Sequence, residues 1–180
     1  MKNNFTNLRI TGGDFRNKEI KSPEDKHTHP MGSRERLALM NIIGPDIKGA
    51  DLLDAFAGTG AIGIEALSRG AKHVTFVEKN HKVAEILREN LKSLGLTRNA
   101  TVIESPVEKI DDLKFDFVVA DPPYDKIKTI DYGTFDKLAK MAKNRFILSH
   151  PESFEPHAIN ANIVATKSYA ASRVSIFTNI

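Results

Sequence analysis

The chain has 180 residues, no cysteine, 41% hydrophobic residues and a net charge of +3 from 26 basic and 23 acidic side chains. That length suits one α/β domain with its own core, and the missing cysteines exclude disulfides, thiolate metal sites and cysteine nucleophiles, in keeping with a reducing cytoplasm. The opening residues MKNNFTNLRI lack the apolar stretch of a secretory signal, and no run approaches the roughly 18 apolar residues of a membrane span, so a cytoplasmic protein with no membrane partner is expected.

The charge is uneven. Residues 1 to 22 carry Lys2, Arg9, Arg16, Lys18 and Lys21 against Asp14 and Glu19, which accounts for the whole basic excess. A nucleic-acid-binding surface needs cations gathered in this way, although a solvated edge has the same composition. Leu8 and Ile10 before Gly12-Gly13, and Ile20 after Asn17, alternate weakly and predict a short β-hairpin over residues 5–21. The expected organisation is a single domain over 1–180 in which 1–28 form a basic hairpin extension and linker, with His27 to Pro30 as the linker. Ser33 is a plausible N-cap for a helix that uses Leu37, Leu39, Met40, Ile42 and Ile43 as its apolar positions and ends at Gly44-Pro45. Arg34 and Arg36 on that helix are candidates for phosphate contact, although arginines two apart do not share a face.

The stretch Asp51 to Gly63, DLLDAFAGTGAIG, reads as a buried strand (Leu52, Leu53, Ala55, Phe56), a glycine turn and then a helix stopping at Gly70. The turn opens onto a helix N-terminus, where free amides and the dipole favour an anionic group. Its pattern Gly58-x-Gly60-x-x-Gly63 matches a dinucleotide fingerprint, but nicotinamide binding, S-adenosylmethionine binding and a purely structural turn all remain open at this point. Asp54, in the strand, suits a cationic amino group better than a pyrophosphate. His73 to Val77 predicts the next strand, ending at Glu78, whose carboxylate can accept two ribose hydroxyls. Asn80 is a helix N-cap, and Val83, Ile86, Leu87, Leu91 and Leu94 follow helical spacing to Gly95.

Thr101 to Ile103 and Phe115 to Ala120 predict two more strands. The second runs into Asp121-Pro122-Pro123-Tyr124, where the prolines stop a central strand and hold the backbone extended. A helix over about 135–143 and a strand from Phe146 to Ser149 follow. Ile159 to Thr166 and Arg173 to Thr178 then read as strands with no helix between them. Alternating strands and helices imply a parallel sheet with right-handed crossovers, and the last two strands an antiparallel pair at its edge. Ligands in such sheets sit at the carboxyl ends of the strands, so the glycine turn, Glu78 and Asp121 to Tyr124 should share one rim. An exocyclic nucleobase amine is a poor nucleophile; the Asp121 carboxylate and the Pro122 carbonyl can accept its two hydrogens and aim its lone pair, while Tyr124 stacks on the base. His150 reads as a loop histidine without a catalytic role, and the histidines lack metal-ligand spacing.

DAFAGTGAIG, Glu78 and DPPY, in that order and spacing, resemble a Rossmann-like class I S-adenosylmethionine-dependent methyltransferase acting on amino nitrogens. LRITGGDFRNKEIKSP, HPMGSRERLALMNII and EALSRGAKHVTFVEKN narrow the resemblance to bacterial small-subunit (16S) rRNA guanine-N2 methyltransferases of the RsmD type, over nearly the whole chain. The resemblance implies a seven-stranded, mostly parallel sheet, S-adenosylmethionine as cofactor, and small-subunit rRNA or the assembling small subunit as partner of a monomer with no metal. Its cofactor positions fall on Asp54, Gly58, Gly60 and Glu78 and its catalytic motif on Asp121, Pro122 and Tyr124; Phe56 and Asp121 are further expected cofactor contacts, and RNA contacts are expected from the cations Arg9, Arg16, Arg34 and Arg36 and from Tyr124. The chain departs from the family pattern at Met31-Gly32-Ser33, at Tyr169-Ala170-Ala171-Ser172 where a glycine is usual, and at Pro106, which stands where an Asp or Asn commonly meets the adenine. Adenine recognition is then expected from backbone near Val107 or from another side chain. Other targets with the same motif are adenine N6 or a protein glutamine, and a non-catalytic RNA-binding assembly factor is the alternative from another class.

Overall fold

A computed structural model describes residues 5–23, 31–169 and 172–178. The expected linker at His27 to Pro30 and the pair Ala170-Ala171 lie outside the described residues. The main sheet has seven strands: β3 (Asp51–Asp54), β4 (His73–Val77), β5 (Ala100–Ile103), β6 (Phe115–Ala120), β7 (Ala142–His150), β8 (Asn162–Tyr169) and β9 (Ser172–Thr178). Their order across the sheet is β5-β4-β3-β6-β7-β9-β8, with β3 to β7 parallel and the last two strands antiparallel. The chain winds outward from β3 through β4 to β5 and then returns to lay β6 against the other side of β3. The crevice beyond the carboxyl ends of β3 and β6 is therefore the switch point where an open α/β sheet takes its ligand.

Helices α1 (Ser33–Ile43), α2 (Ala61–Ser68), α3 (His81–Ser93) and α4 (Tyr132–Met141) cover the sheet. One core gathers Leu39, Ile43, Leu52, Ile64, Phe76 and Leu87; the other gathers Leu53, Val118, Phe135, Leu138, Phe146 and Phe177. Asn80 caps α3 as expected, its side-chain oxygen accepting the Lys82 and Val83 amides at 3.0 and 3.3 Å. Asp131 caps α4, so that helix begins before the expected Phe135, and β7 follows it directly, earlier than Phe146. An acid four residues ahead of Phe135 supplies the start signal that periodicity alone overlooks.

The hairpin forms as expected, from β1 (Phe5–Arg9) and β2 (Glu19–Pro23) in a sheet of its own. Its apolar residues Ile10 and Ile20 are 1% and 2% exposed within the first core, so this segment is packed onto the body of the protein. Helix α2 consequently has all eight residues buried, Glu65 and Ser68 included. Both polar side chains face the hairpin: Glu65 accepts the Thr11 and Gly12 amides and the Thr11 hydroxyl, and Ser68 Oγ donates to the Gly12 carbonyl and accepts the Phe15 amide.

Two helix-level expectations are corrected. Ser33 is the first residue of α1; the cap is Gly32, whose amide is accepted by Glu35 Oε2 at 3.2 Å. Leu37 is 41% exposed while Arg36 is fully buried. Arg36 stands four and seven residues before the buried Met40 and Ile43, on their face of the helix, whereas Leu37 falls on the opposite side.

Candidate active site

Each glycine of the turn has a separate job. Gly58 and Gly60 have positive φ of 53° and 88°, which side chains rarely adopt. A Cβ on Gly60 would come within 2.3 Å of Leu87, and one on Gly63 within 2.2 Å of Phe76, so these two let α2 press against α3 and β4. A Cβ on Gly58 would meet nothing within 4 Å: this is the glycine that faces open space above the sheet. Asp54 lies beneath the turn, fully buried, with Oδ2 accepting the Gly63 amide at 2.9 Å and Oδ1 without a partner. Burial raises its pKa to about 7, with repulsion from Asp121 and Glu78 adding to the shift and the Gly63 amide opposing it.

Glu78 bridges the turn and α3. Oε2 accepts the Gly58 amide at 3.0 Å and Oε1 accepts the Asn80 amide at 2.7 Å, which fixes the carboxylate on the rim and leaves each oxygen a further lone pair. Phe56, half-buried, packs against the second core, as does the buried side chain of Val107 just beyond β5.

On the other lip of the crevice, β6 delivers Asp121 and Pro122, and the turn carries Tyr124 back over β7. The Tyr124 hydroxyl lies 2.7 Å from Ser149 Oγ. Ser149 is completely buried and fixes the Tyr124 hydroxyl beside the end of β6. Burial raises Asp121 to about 6, opposed by the Ser149 hydrogen bond and assisted by the negative charge of Glu35. Tyr124 is held above the usual phenol range, mainly by burial. His150 points away: one ring nitrogen meets the Pro151 carbonyl at 2.9 Å and must carry the proton, and the other accepts from Ser175 Oγ at 2.9 Å. Burial lowers its pKa.

The RNA candidates divide. Arg9, Arg16 and Arg34 are exposed, Arg9 also pairing with Glu19 on the hairpin. Arg36 is a correction: its guanidinium donates to the Met31 carbonyl at 2.5 Å, to the Arg9 carbonyl at 2.8 Å and to Ser33 Oγ at 3.3 Å, so it ties α1 to the hairpin and reaches no phosphate.

Sequence reading passed over four residues. Ser149 ends a strand on the same rim as Asp121, the one signal it offered. Glu35 and Ser172 meet only in three dimensions, where Ser172 Oγ donates to Glu35 Oε1 at 3.2 Å. Asn90 interrupts the apolar stripe of α3, and that misplaced polar residue was its signal. It is 2% exposed, its oxygen accepting the Lys21 amide at 2.9 Å and its NH2 donating to the carbonyls of Lys21 and Thr59 at 2.9 and 3.0 Å. One side chain thus pins the hairpin to the glycine turn.

A doubly wound sheet of this strand order, with a glycine turn and rim acid on one lip and an Asp-Pro-Pro-Tyr turn on the other, defines a class I methyltransferase fold. The model of the family described as Conserved hypothetical protein 95 matches residues 8–178, and the chain belongs to that family, the RsmD family. It is 30% identical to YlbH of Bacillus subtilis over 94% of this chain and 98% of that protein. To ribosomal RNA small subunit methyltransferase D of Haemophilus influenzae it is 38% identical over 65% of this chain, the match spanning 64% of that enzyme. Among solved structures, yhhF of Escherichia coli superposes with a TM-score of 0.83 at 26% identity, covering 97% of this chain and 98% of that one.

Proposed function

We propose that the protein transfers a methyl group from S-adenosylmethionine to the exocyclic N2 amine of a guanine in small-subunit rRNA. The observation that carries this reading is the pairing, across the switch-point crevice, of the Gly58 turn with Asp121 and the Tyr124 that Ser149 holds. The relatives named as small-subunit rRNA methyltransferases support the class of substrate.

The residues present fit the cofactor. The bare Gly58 leaves room for backbone to approach a ligand, Glu78 keeps lone pairs for ribose hydroxyls, and the partnerless Oδ1 of Asp54 places unbalanced acidity under the position of a cationic ligand. S-adenosylmethionine, when bound, supplies a methyl group on a positively charged sulfur, ready for in-line displacement. The chain's own work is alignment. Asp121 and the Pro122 carbonyl accept the two amine hydrogens, turning the nitrogen lone pair toward the methyl donor, and Tyr124 holds the base face. The ionised Asp121 also stabilises the positive charge that grows on the amine. No covalent enzyme intermediate is needed. Exposed Arg9, Arg16 and Arg34 supply phosphate contacts that position the RNA without reading its sequence.

The test is mass spectrometry of small-subunit rRNA nucleosides from cells with and without the gene, followed by in vitro methylation of the RNA from the deleted strain. The expected result is one N2-methylguanosine missing from the deletion and restored by purified protein with S-adenosylmethionine. An unchanged nucleoside profile, or a product on adenine, would overturn the assignment.

A further inference from the structure

The DPPY turn lies close to an acid from the far N-terminal side of the chain. The Tyr124 hydroxyl lies 2.7 Å from Ser149 Oγ, Ser149 is opposite Val174 on β9, and two residues earlier on β9 Ser172 Oγ donates to Glu35 Oε1 at 3.2 Å. Residues 35, 121, 124, 149 and 172 come from α1, the end of β6, the following turn, β7 and β9, and converge only because β9 lies against β7. Tyr169 is the cross-strand partner of Ser172, so two tyrosines flank the acid. Glu35 is half-buried, and its negative charge opposes ionisation of Asp121, Tyr124 and Tyr169 alike.

A second carboxylate beside the amine-holding one is unfavourable for the free protein, since like charges repel at short range. Capping alone does not require it, because a neutral glutamine closes a capping box equally well. What a carboxylate adds is pure acceptor character. Guanine presents two adjacent donors on its Watson–Crick edge, N1–H and the N2 amine, whereas adenine and 2-aminopurine present a bare acceptor at N1. We infer that Glu35 is a specificity-determining residue that accepts the N1–H of the target guanine while Asp121 and Pro122 hold its N2 amine. A base lacking that proton would set a lone pair against a carboxylate, and rejection of this kind is strong because it leaves buried polar groups unpaired. The inference rests on the guanine-N2 reading above and names the group that enforces it.

Glu35→Gln provides the test. The glutamine oxygen keeps the Gly32 amide, as Glu35 Oε2 does at 3.2 Å, which turns the NH2 toward Ser172 and the base and replaces an acceptor by a donor. The substrates are rRNAs assembled by ligation with either guanine or 2-aminopurine at the nucleotide mapped by mass spectrometry; both carry an exocyclic N2 amine. Wild-type protein is expected to favour guanine by about a hundredfold or more in kcat/KM, and E35Q to bring the two within about threefold of each other, with a thermal midpoint no lower than that of the wild type. A guanine preference that survives in E35Q, or is absent in the wild type while guanine is still methylated, overturns the role of Glu35. If the wild type makes no N2-methylguanosine at all, the underlying guanine reading has failed and the inference falls with it.

Discussion

At neutral pH the Asp121 carboxyl, raised to about 6, is mostly ionised and able to accept from an amine; below that value it carries a proton and loses this capacity. With S-adenosylmethionine saturating, the methylation rate is therefore expected to fall as pH drops through about 6. Asp121→Ala should lower kcat by about 10²–10³-fold with cofactor affinity unchanged by calorimetry; full activity in that variant would remove Asp121 from the chemistry. The two arginines of α1 separate structure from recognition. Arg36→Met leaves the Met31 and Arg9 carbonyls without their donor and should lower stability by roughly 2–4 kcal/mol in urea unfolding, without altering the salt dependence of RNA binding. Arg34→Ala should do the reverse, leaving stability intact and reducing the slope of log K against log salt by about one. The burial of Arg36 follows from its register with Met40 and Ile43, four and seven residues on.

Among the elements, the glycine turn was legible as a cradle, but the division of labour within it was not. Gly63→Ala drives a methyl group into Phe76, so it should lower the unfolding midpoint, by the equivalent of about 1–3 kcal/mol. Gly58→Ala meets no protein atom; it should cost only about 1 kcal/mol for its left-handed backbone while weakening S-adenosylmethionine binding, the contrast being measured by calorimetry beside thermal melts. The hairpin was legible from weak alternation and charge. Its attachment was not, because nothing in the spacing of Asn90, Glu65 and Arg36 names the hairpin as the partner that each of them meets. Asn90→Ala should speed hydrogen exchange of the Lys21 amide and weaken cofactor affinity, each by about three- to tenfold, since the same side chain supports Lys21 and the Thr59 carbonyl.

For the molecule as a whole, the two raised carboxyls set the pH dependence of folding. Asp54 and Asp121 hold their protons to about 7 and about 6 in the native state, whereas in the unfolded chain they release them near the ordinary carboxylate value. Between those limits the native state binds more protons, so stability of the ligand-free protein falls as pH rises from about 4 to 7. Glu104 and Asp116, held below their usual range by His81 and by the Asp51 amide respectively, act in the opposite sense but only in more acid solution. Thermal melts should show a higher midpoint at pH 5 than at pH 7.5, and Asp54→Asn should remove most of the difference.

Local chemistry determined much of this protein directly from its sequence: the strand–turn–helix of the glycine stretch, the cap at Asn80, the stop at Asp121-Pro122-Pro123, and the alternation that requires a parallel sheet with an antiparallel edge. Each depends on neighbours within a few positions, which is the range over which backbone conformation and helical or strand period act. Tertiary structure alone decided which polar side chains would be buried and whom they would meet. Glu35 reaches Ser172, Ser149 reaches Tyr124, and Asn90 reaches Thr59 across separations of 137, 25 and 31 residues. No periodicity encodes such pairings; they follow from the order in which the strands are laid side by side and from the hairpin folding over α2.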